Sequence, residues 1–264
     1  FASRHSDDDT PCPVLFRRIR PVQMLPLSMP AVVTSETDFR RITTLLPGEE
    51  GRIVRVVRSI GWCGFEADNI IGCASIPGNV LVVRRYPASM EPQLWGHEFG
   101  HNRGLDHVDP PQRLMAPEIA ENSLQKTAPE CTSLASVAAA VSSDAVRFPR
   151  PQVVRNETAP KDVQEFVRRV YQHGFPYTQA RRFEESDLAS VLPLLSDRSS
   201  SRTWGNVVLL AGTVGGSGTS EALIRFLVNP NWDPRNPSDT DGKTAVPVAL
   251  GHLASRLNDR RALD

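Results

Sequence analysis

The sequence has no long apolar run. Nothing in its 264 residues approaches the ~20 consecutive apolar residues of a membrane-spanning helix, so no membrane span is expected. It also has no charge excess: Lys+Arg and Asp+Glu are both 30. Nothing global therefore points to nucleic acid or to an acidic membrane surface as a partner. The arginine clusters "FRRIR" and "RIVRVVR" are balanced elsewhere and read as solvated strand faces. No C-x-x-C pair occurs, which argues against a thiolate zinc site. The chain does not begin with Met, has no signal-type apolar region, and stops at "SRLNDRRALD" as another helix gets under way. A piece of a longer protein is expected.

What is present is ample core material, with 40% hydrophobic residues, and a length that suits one large domain or two ordinary ones. The four cysteines, Cys12, Cys63, Cys73 and Cys131, admit two disulfides and an oxidising compartment. Cys63 and Cys73 flank the short loop "CGFEADNIIGC" and are the favoured pair. Cys12 with Cys131 follows only by elimination, and four buried free thiols are the alternative. Asn156 in "NET" is a glycosylation triplet of a common kind.

Along the chain, "VLFRRIRPVQMLPL" alternates like a strand. "SETDFRRITTLLPG" has a Ser35 cap, acidic first-turn residues and a Pro-Gly stop, and reads as a helix. "GRIVRVVRSIGW" and "GNVLVVRRY" read as strands. "PQLWGHEFGHNRG" is a helix ending at Gly104, and "TAPECTSLASVAAAV" is another. The stretch "DAVRFPRPQVVRNETAP" is rich in proline and short polar residues and reads as a linker. Beyond it every segment has helical period: "KDVQEFVRRVYQHGF", "ESDLASVLPLLSD", "RTWGNVVLLAGTVG", "TSEALIRFLVN" and "KTAVPVALGHLASRL". "GTVGGSGTS" lacks the lysine and the preceding strand of a phosphate loop and reads as a turn between helices.

The histidines are the concentrated feature. Three of the six lie at 97, 101 and 107, within "WGHEFGHNRGLDHVDPPQRLM". On a helix, His97 and His101 present two imidazoles to one point. Glu98 is one residue round from His97. Gly104 lets the chain reverse in a left-handed conformation, so that His107 can return as a third ligand. Zinc bound in this way would keep a fourth position open for water, because no other His or Cys lies near in sequence. A metal acidifies such water, and Glu98 can take its proton, which is hydrolysis chemistry. His5, His173 and His252 stand alone and read as surface or satisfied core residues.

The spacing His97-Glu98-x-x-His101-x-x-Gly104-x-x-His107 resembles the zinc signature of the metzincin clan of metallopeptidases. The resemblance covers about residues 12 to 140. It implies that Met115, in "RLMAP", lies in the tight turn beneath the metal. It also implies that "GNVLVVRR" is the edge strand above the cleft, with substrate extended along Asn79, Val80, Leu81, Val82, Val83 and Arg84. "APEIAENS" would wall the main specificity pocket, and "TAPECTSL" would be the closing helix. Val108 follows the third histidine and no tyrosine follows Met115, so the resemblance is to the clan rather than to one of its families. Precursors in this clan often block the metal with Cys or Asp, and "SDDDTPC" carries both types; a disordered acidic tail plus a disulfide cysteine is the favoured reading of it.

The helical segments from about 185 to 264, with their "LxxLL" and "ALGHLA" texture, resemble HEAT-type repeats. The expected architecture is therefore an α+β metzincin-like catalytic domain, residues 1–143, with a small twisted mixed sheet and an active-site helix. A linker, 144–160, and an all-α HEAT-like solenoid segment, 161–264, follow. The expected activity is a secreted, periplasmic or extracellular Zn2+ endopeptidase acting on protein or peptide. The alternative is an interaction scaffold whose helical repeats bind a protein partner and whose first domain is inactive or secondary.

Overall fold

The computed structural model describes residues 16, 18, 20–86, 90–108, 113–119, 128–135, 147–149, 160–233 and 235–257. His5, Cys12, the acidic stretch at 6–12 and Asn156 lie outside them. The chain divides into two units. The first is Phe1–Val153 with Val170–Gly174, and the second is Val154–Arg169 with Phe175–Asp264. The first division falls within the expected 144–160 stretch, and in addition a short piece from farther along, Val170–Gly174, returns to the first unit.

In the first unit, the strand expected over 14–27 is not formed among its described residues. Pro21 and Pro26 remove backbone donors, and Val22, Met24 and Leu27 stay exposed, so the segment has no ladder to join. β1 (Val32–Val33) leads into α1 (Glu36–Thr43), where the Ser35 hydroxyl accepts from the Asp38 amide as an N-cap. The run expected as one strand over 51–62 splits into β2 (Ile53–Val57) and β3 (Ser59–Trp62), which belong to different sheets. The "CGFEADNIIGC" loop is two further strands, β4 (Glu66–Ile70) and β5 (Gly72–Ala74). Cys63 and Cys73 are disulfide-bonded with Cα atoms 5.6 Å apart. Cys131 is also disulfide-bonded.

One sheet has the order β1-β3-β4 and another the order β2-β6-β5, where β6 is Val80–Arg84. β2 and β6 are parallel, in register from Ile53↔Val80 to Val57↔Arg84, and β5 is antiparallel to β6. Phe39, Ile42, Ile60, Ile70, Val80 and Val82 close a core around the disulfide. Phe148, within the stretch expected to be a linker, packs against Phe39 and Trp62, and Arg147 exchanges backbone hydrogen bonds with Ile76. That part of 144–160 is core, because an aromatic side chain there has apolar surface to bury. α2 (Glu91–Asn102) lies on β5 and β6 through Leu94, which packs with Ile71 and Val83. Full burial of a leucine contributes roughly 1.5–3 kcal/mol.

Arg55 of β2 donates to both carboxylate oxygens of Glu49, each at 2.6 Å, and to the Ile42 carbonyl at 3.3 Å. The pair is nearly buried, and the Arg55 hydrogen bonds hold the Glu49 carboxyl below its ordinary range. A depressed acid contributes stability that is present above its unfolded pKa, about 4.3 for glutamate, and is lost as pH falls through the lower folded value. Urea midpoints measured from pH 7 down to pH 3 should therefore drop on the acid side. Glu49→Gln should flatten that limb, and an unchanged acid limb would show that the pair contributes nothing to it.

The second unit is helical among its described residues. It comprises α4 (Val163–Arg168), α5 (Tyr177–Ala180), 3-10 turns at Glu185–Ser190, Leu192–Ser196 and Arg198–Thr203, then α6 (Trp204–Val214), α7 (Thr219–Val228) and α8 (Pro237–Leu257). The remaining helix of the first unit, α3, is Ala128–Ala135. α6 is buried from Trp204 to Gly212, and Gly212 lets α8 approach so closely that a Cβ there would sit 2.7 Å from Ala249 Cβ. The Lys243 ammonium caps the end of α7 through the carbonyls of Phe226, Leu227 and Asn229. "GTVGGSGTS" is the end of α6, a turn and the start of α7. "VYQHG" (170–174) is not helical: β8 (Val170–Tyr171) pairs with β7 (Glu118–Ile119).

Candidate metal centre

α2 carries the first two histidines. Pro92 sits in its first turn, where no amide donor is needed. The helix ends at Asn102, and Gly104 follows at φ +91, the left-handed region that glycine enters cheaply. The Leu105 amide then bonds the Gly100 carbonyl, and the chain turns back toward His107. Met115 is fully buried, and its amide neighbour Leu114 and its own carbonyl both serve the site. The Leu114 carbonyl faces His97, and the Met115 carbonyl accepts from the Val108 amide at 3.1 Å. The Met115 sulfur lies against Gly100, on the helix turn between the two histidines, where a Cβ would overlap it.

His97, His101 and His107 converge, as their spacing implies, and a fourth imidazole joins them. His173 has its ligand nitrogen in the same group, in which all ligand atoms lie within 4.8 Å of one another. The reading of His173 as a lone residue, and of the fourth position as open, is therefore corrected. The residue lies 76 positions beyond His97, so spacing could not find it. The available signal was the alternating "VYQH" followed by glycine, a strand-like piece inside a run read as helical.

The protonation chemistry of the group argues for a cation. His97 Nδ1 lies 2.8 Å from the Leu114 carbonyl, and His101 Nδ1 lies 2.9 Å from the Leu105 carbonyl. A carbonyl can only accept, so each Nδ1 carries the proton and each Nε2 presents a lone pair. Yet His97 Nε2 is 2.9 Å from His101 Nε2 and 3.1 Å from His173 Nε2. Between His97 and His101 a further proton would relieve the contact only by charging a ring, whereas His173, whose Nδ1 has no carbonyl behind it among the described residues, can meet His97 with a neutral Nε2–H. Burial, together with the neighbouring imidazoles, pushes His97, His101 and His173 well below the usual histidine range, so they stay neutral. Lone pairs facing one another at this distance are reconciled by a Lewis acid. Bonds of ~2.0–2.1 Å to zinc place tetrahedral ligand atoms about 3.3 Å apart, close to these separations. The two carbonyls supply the acceptors that metal-bound histidines usually have behind them. A group of four histidines that could hold a metal ion is thus a property of the structure; the ion's identity is a separate matter.

Glu98 is fully buried, and neither carboxylate oxygen has a hydrogen-bond partner among the described residues. Burial drives its pKa well above the usual carboxylate range. The carboxyl rests on Gly72 of β5, where a Cβ would lie 2.9 Å from Glu98 Cδ and 2.7 Å from Leu94 Cδ1. Only glycine leaves room for it.

The substrate strand is placed differently from the expectation. β6 is the central strand of β2-β6-β5, so the backbone of Val80–Arg84 is bonded on both sides and cannot pair with a peptide. Its side chains are all buried, and the unbroken apolar run "VLVV" is what a central strand requires. Asn79, exposed just before it, accepts from Arg52. The antiparallel edge is β5 and the residues leading into it. No protein-family description, curated protein or solved structure matches this chain.

Proposed function

We propose that the first unit is a zinc-dependent endopeptidase of metzincin type. The observation that carries this reading is the buried carboxyl of Glu98, without a hydrogen-bond partner among the described residues, beside the His97 and His101 imidazoles whose Nε2 lone pairs converge. His97, His101 and His107 would hold the metal, which, when bound, polarises a carbonyl and acidifies water. Glu98 takes the proton of the attacking water and returns it to the leaving amine. Burial, which raises this carboxyl above the ordinary carboxylate range, makes it a stronger base than an exposed glutamate. Gly72 keeps the carboxyl in place, and Leu114 and Leu105 hold the rings in the tautomer that points Nε2 inward. The Cys63–Cys73 bond supports a secreted or otherwise oxidising setting.

A second reading is favoured by His173. A metal with four protein ligands is closed, as structural sites are. In that case the second unit, read as HEAT-like repeats, would be the working part. Ile224, Leu227 and Val228 of α7 and the nearby Trp232 are exposed and would be its contact surface. Metal analysis combined with casein hydrolysis separates the two. The peptidase reading expects about one equivalent of zinc and a hydrolysis that 1,10-phenanthroline abolishes. Bound zinc with no hydrolysis, even after His173 is replaced, would favour the scaffold.

A further inference from the structure

Val170–Gly174 lies in the chain between two stretches of the second unit but belongs to the first. Its backbone is bonded on both sides. The Gln172 amide donates to the Pro117 carbonyl at 3.1 Å, and the Gln172 carbonyl accepts from the Ile71 amide at 2.9 Å. On one flank, Glu118 pairs with Tyr171 and Ile119 with Val170. On the other, Ile70 bridges antiparallel to His173. The segment is thus an added strand in a slot whose walls are the sheet edge at Ile70–Gly72 and the strand just past Met115. Backbone pairing of this kind is how an extended peptide is held on a sheet edge. The next side chain along that strand, His173, enters the imidazole group.

We propose that Val170–Gly174 is a built-in plug: it occupies the peptide-binding slot of the first unit, and His173 closes the metal position that a substrate would use. The inference rests on the peptidase reading for the identity of the displaced occupant. Two observations bear on how His173 and its strand are held. His173 Nδ1 is buried without a hydrogen-bond partner among the described residues, whereas the other ring nitrogens of His97 and His101 each have a carbonyl behind them. Metal-binding histidines, catalytic and structural alike, nearly always have that second partner, so His173 is the less firmly oriented of these rings. The hold on the segment combines backbone pairing, which any peptide can reproduce, with the buried side chains of Tyr171 and Gln172, the latter donating from Nε2 to the Ala116 carbonyl at 3.5 Å. Its approach is anchored in the second unit, where the Asn206 amide donates to the carbonyls of Val167 and Arg169 at 3.1 and 2.7 Å. Its exit is Gly174, at φ +104, where a Cβ would lie 2.7 Å from Ala67 Cβ and 2.8 Å from the Asp68 carbonyl.

Two substitutions test the plug from different directions. His173→Ala removes the ligand but leaves the strand. Gly174→Ala leaves the ligand but makes the strand's exit untenable. Each protein would be loaded with zinc or cobalt and probed with a dipeptide hydroxamate, a metal-seeking peptide mimic, with binding followed by calorimetry. Both variants should keep about one equivalent of zinc through His97, His101 and His107. The cobalt protein should change its visible absorption on His173→Ala. Both variants should bind the hydroxamate about tenfold or more tighter than the parent, because the competent state is no longer a minor one. An unchanged cobalt spectrum, or equal hydroxamate affinity in parent and variants, overturns the plug. So does loss of zinc from His173→Ala with no gain in Gly174→Ala, which would make His173 a structural ligand. Tighter hydroxamate binding without casein hydrolysis in any form would keep the plug and defeat the peptidase reading. Rapid hydrolysis by the parent, unimproved by either variant, would do the reverse.

Discussion

Glu98→Gln is expected to leave the metal bound and to lower peptide hydrolysis by roughly 10²–10⁴-fold, the range typical of losing one general acid–base group. Glutamine keeps the size that Gly72 accommodates, so His97, His101 and His107 should be undisturbed. What it loses is the ability to accept a proton. Since the same carboxyl is proposed to act on the water and then on the leaving amine, the larger end of that range is favoured. The comparison belongs in the His173→Ala background, where the parent rate is not limited by the plug. Zinc content equal to the parent, with kcat reduced and KM little changed, is the expected pattern. A glutamine variant that hydrolyses peptide at the parent rate would remove Glu98 from the chemistry.

The second large effect concerns the metal itself. Without a cation, the site holds the Nε2 lone pairs of His97 and His101 2.9 Å apart in buried surroundings, which opposes folding of the region that presents them. An ion that binds only the folded form adds about 4 kcal/mol when its free concentration is 1,000 times its Kd. For a unit of this size, at 2–4 °C per kcal/mol, that is a melting shift of roughly 8–16 °C. Chelation should lower the melting temperature of the first unit by that order, and readdition of zinc should restore it. His101→Ala should behave like the chelated protein even with zinc present, because it removes both a ligand and the pairing with the Leu105 carbonyl. A melting temperature indifferent to chelator would mean that the four rings hold no metal in solution.

The parts of this arrangement that were legible in the sequence are those in which one local segment carries the whole signal. The 97–107 spacing specifies a helix face, a left-handed glycine and a return, and the structure places all three imidazoles together. Ser35 announces its own helix because the cap and the amide it accepts from are three residues apart. What was not legible depends on partners distant in sequence. Whether β6 is an edge or a centre is decided by β2 and β5, not by its own residues, although its uninterrupted apolar run was the clue. β4 and β5 were obscured because Gly64, Asn69 and Gly72 are turn-prone residues. Two of them serve a bend, with Gly64 at φ +79 and Asn69 at φ +60, and Gly72 serves the clearance of Glu98. His173 needed knowledge that a piece of chain beyond 160 returns to the first unit.

The two-sided bonding of Gln172 has a consequence for concentration. A segment tethered to its own slot competes with free peptide as though it were present at a fixed effective concentration, in the millimolar range for short linkers. Peptides well below that level would be turned away whatever their side chains, while a long chain engaging several positions at once could win. The same backbone pairing leaves the Gln172 side chain, whose Nε2 donates to the Ala116 carbonyl, to supply a hydrogen bond by which the slot can tell its own strand from another. Discrimination otherwise falls to the side chains flanking Gln172 and to whatever keeps Arg169 on Asn206. Cutting the chain on one side of the segment would convert that fixed effective concentration into an ordinary, dilutable one.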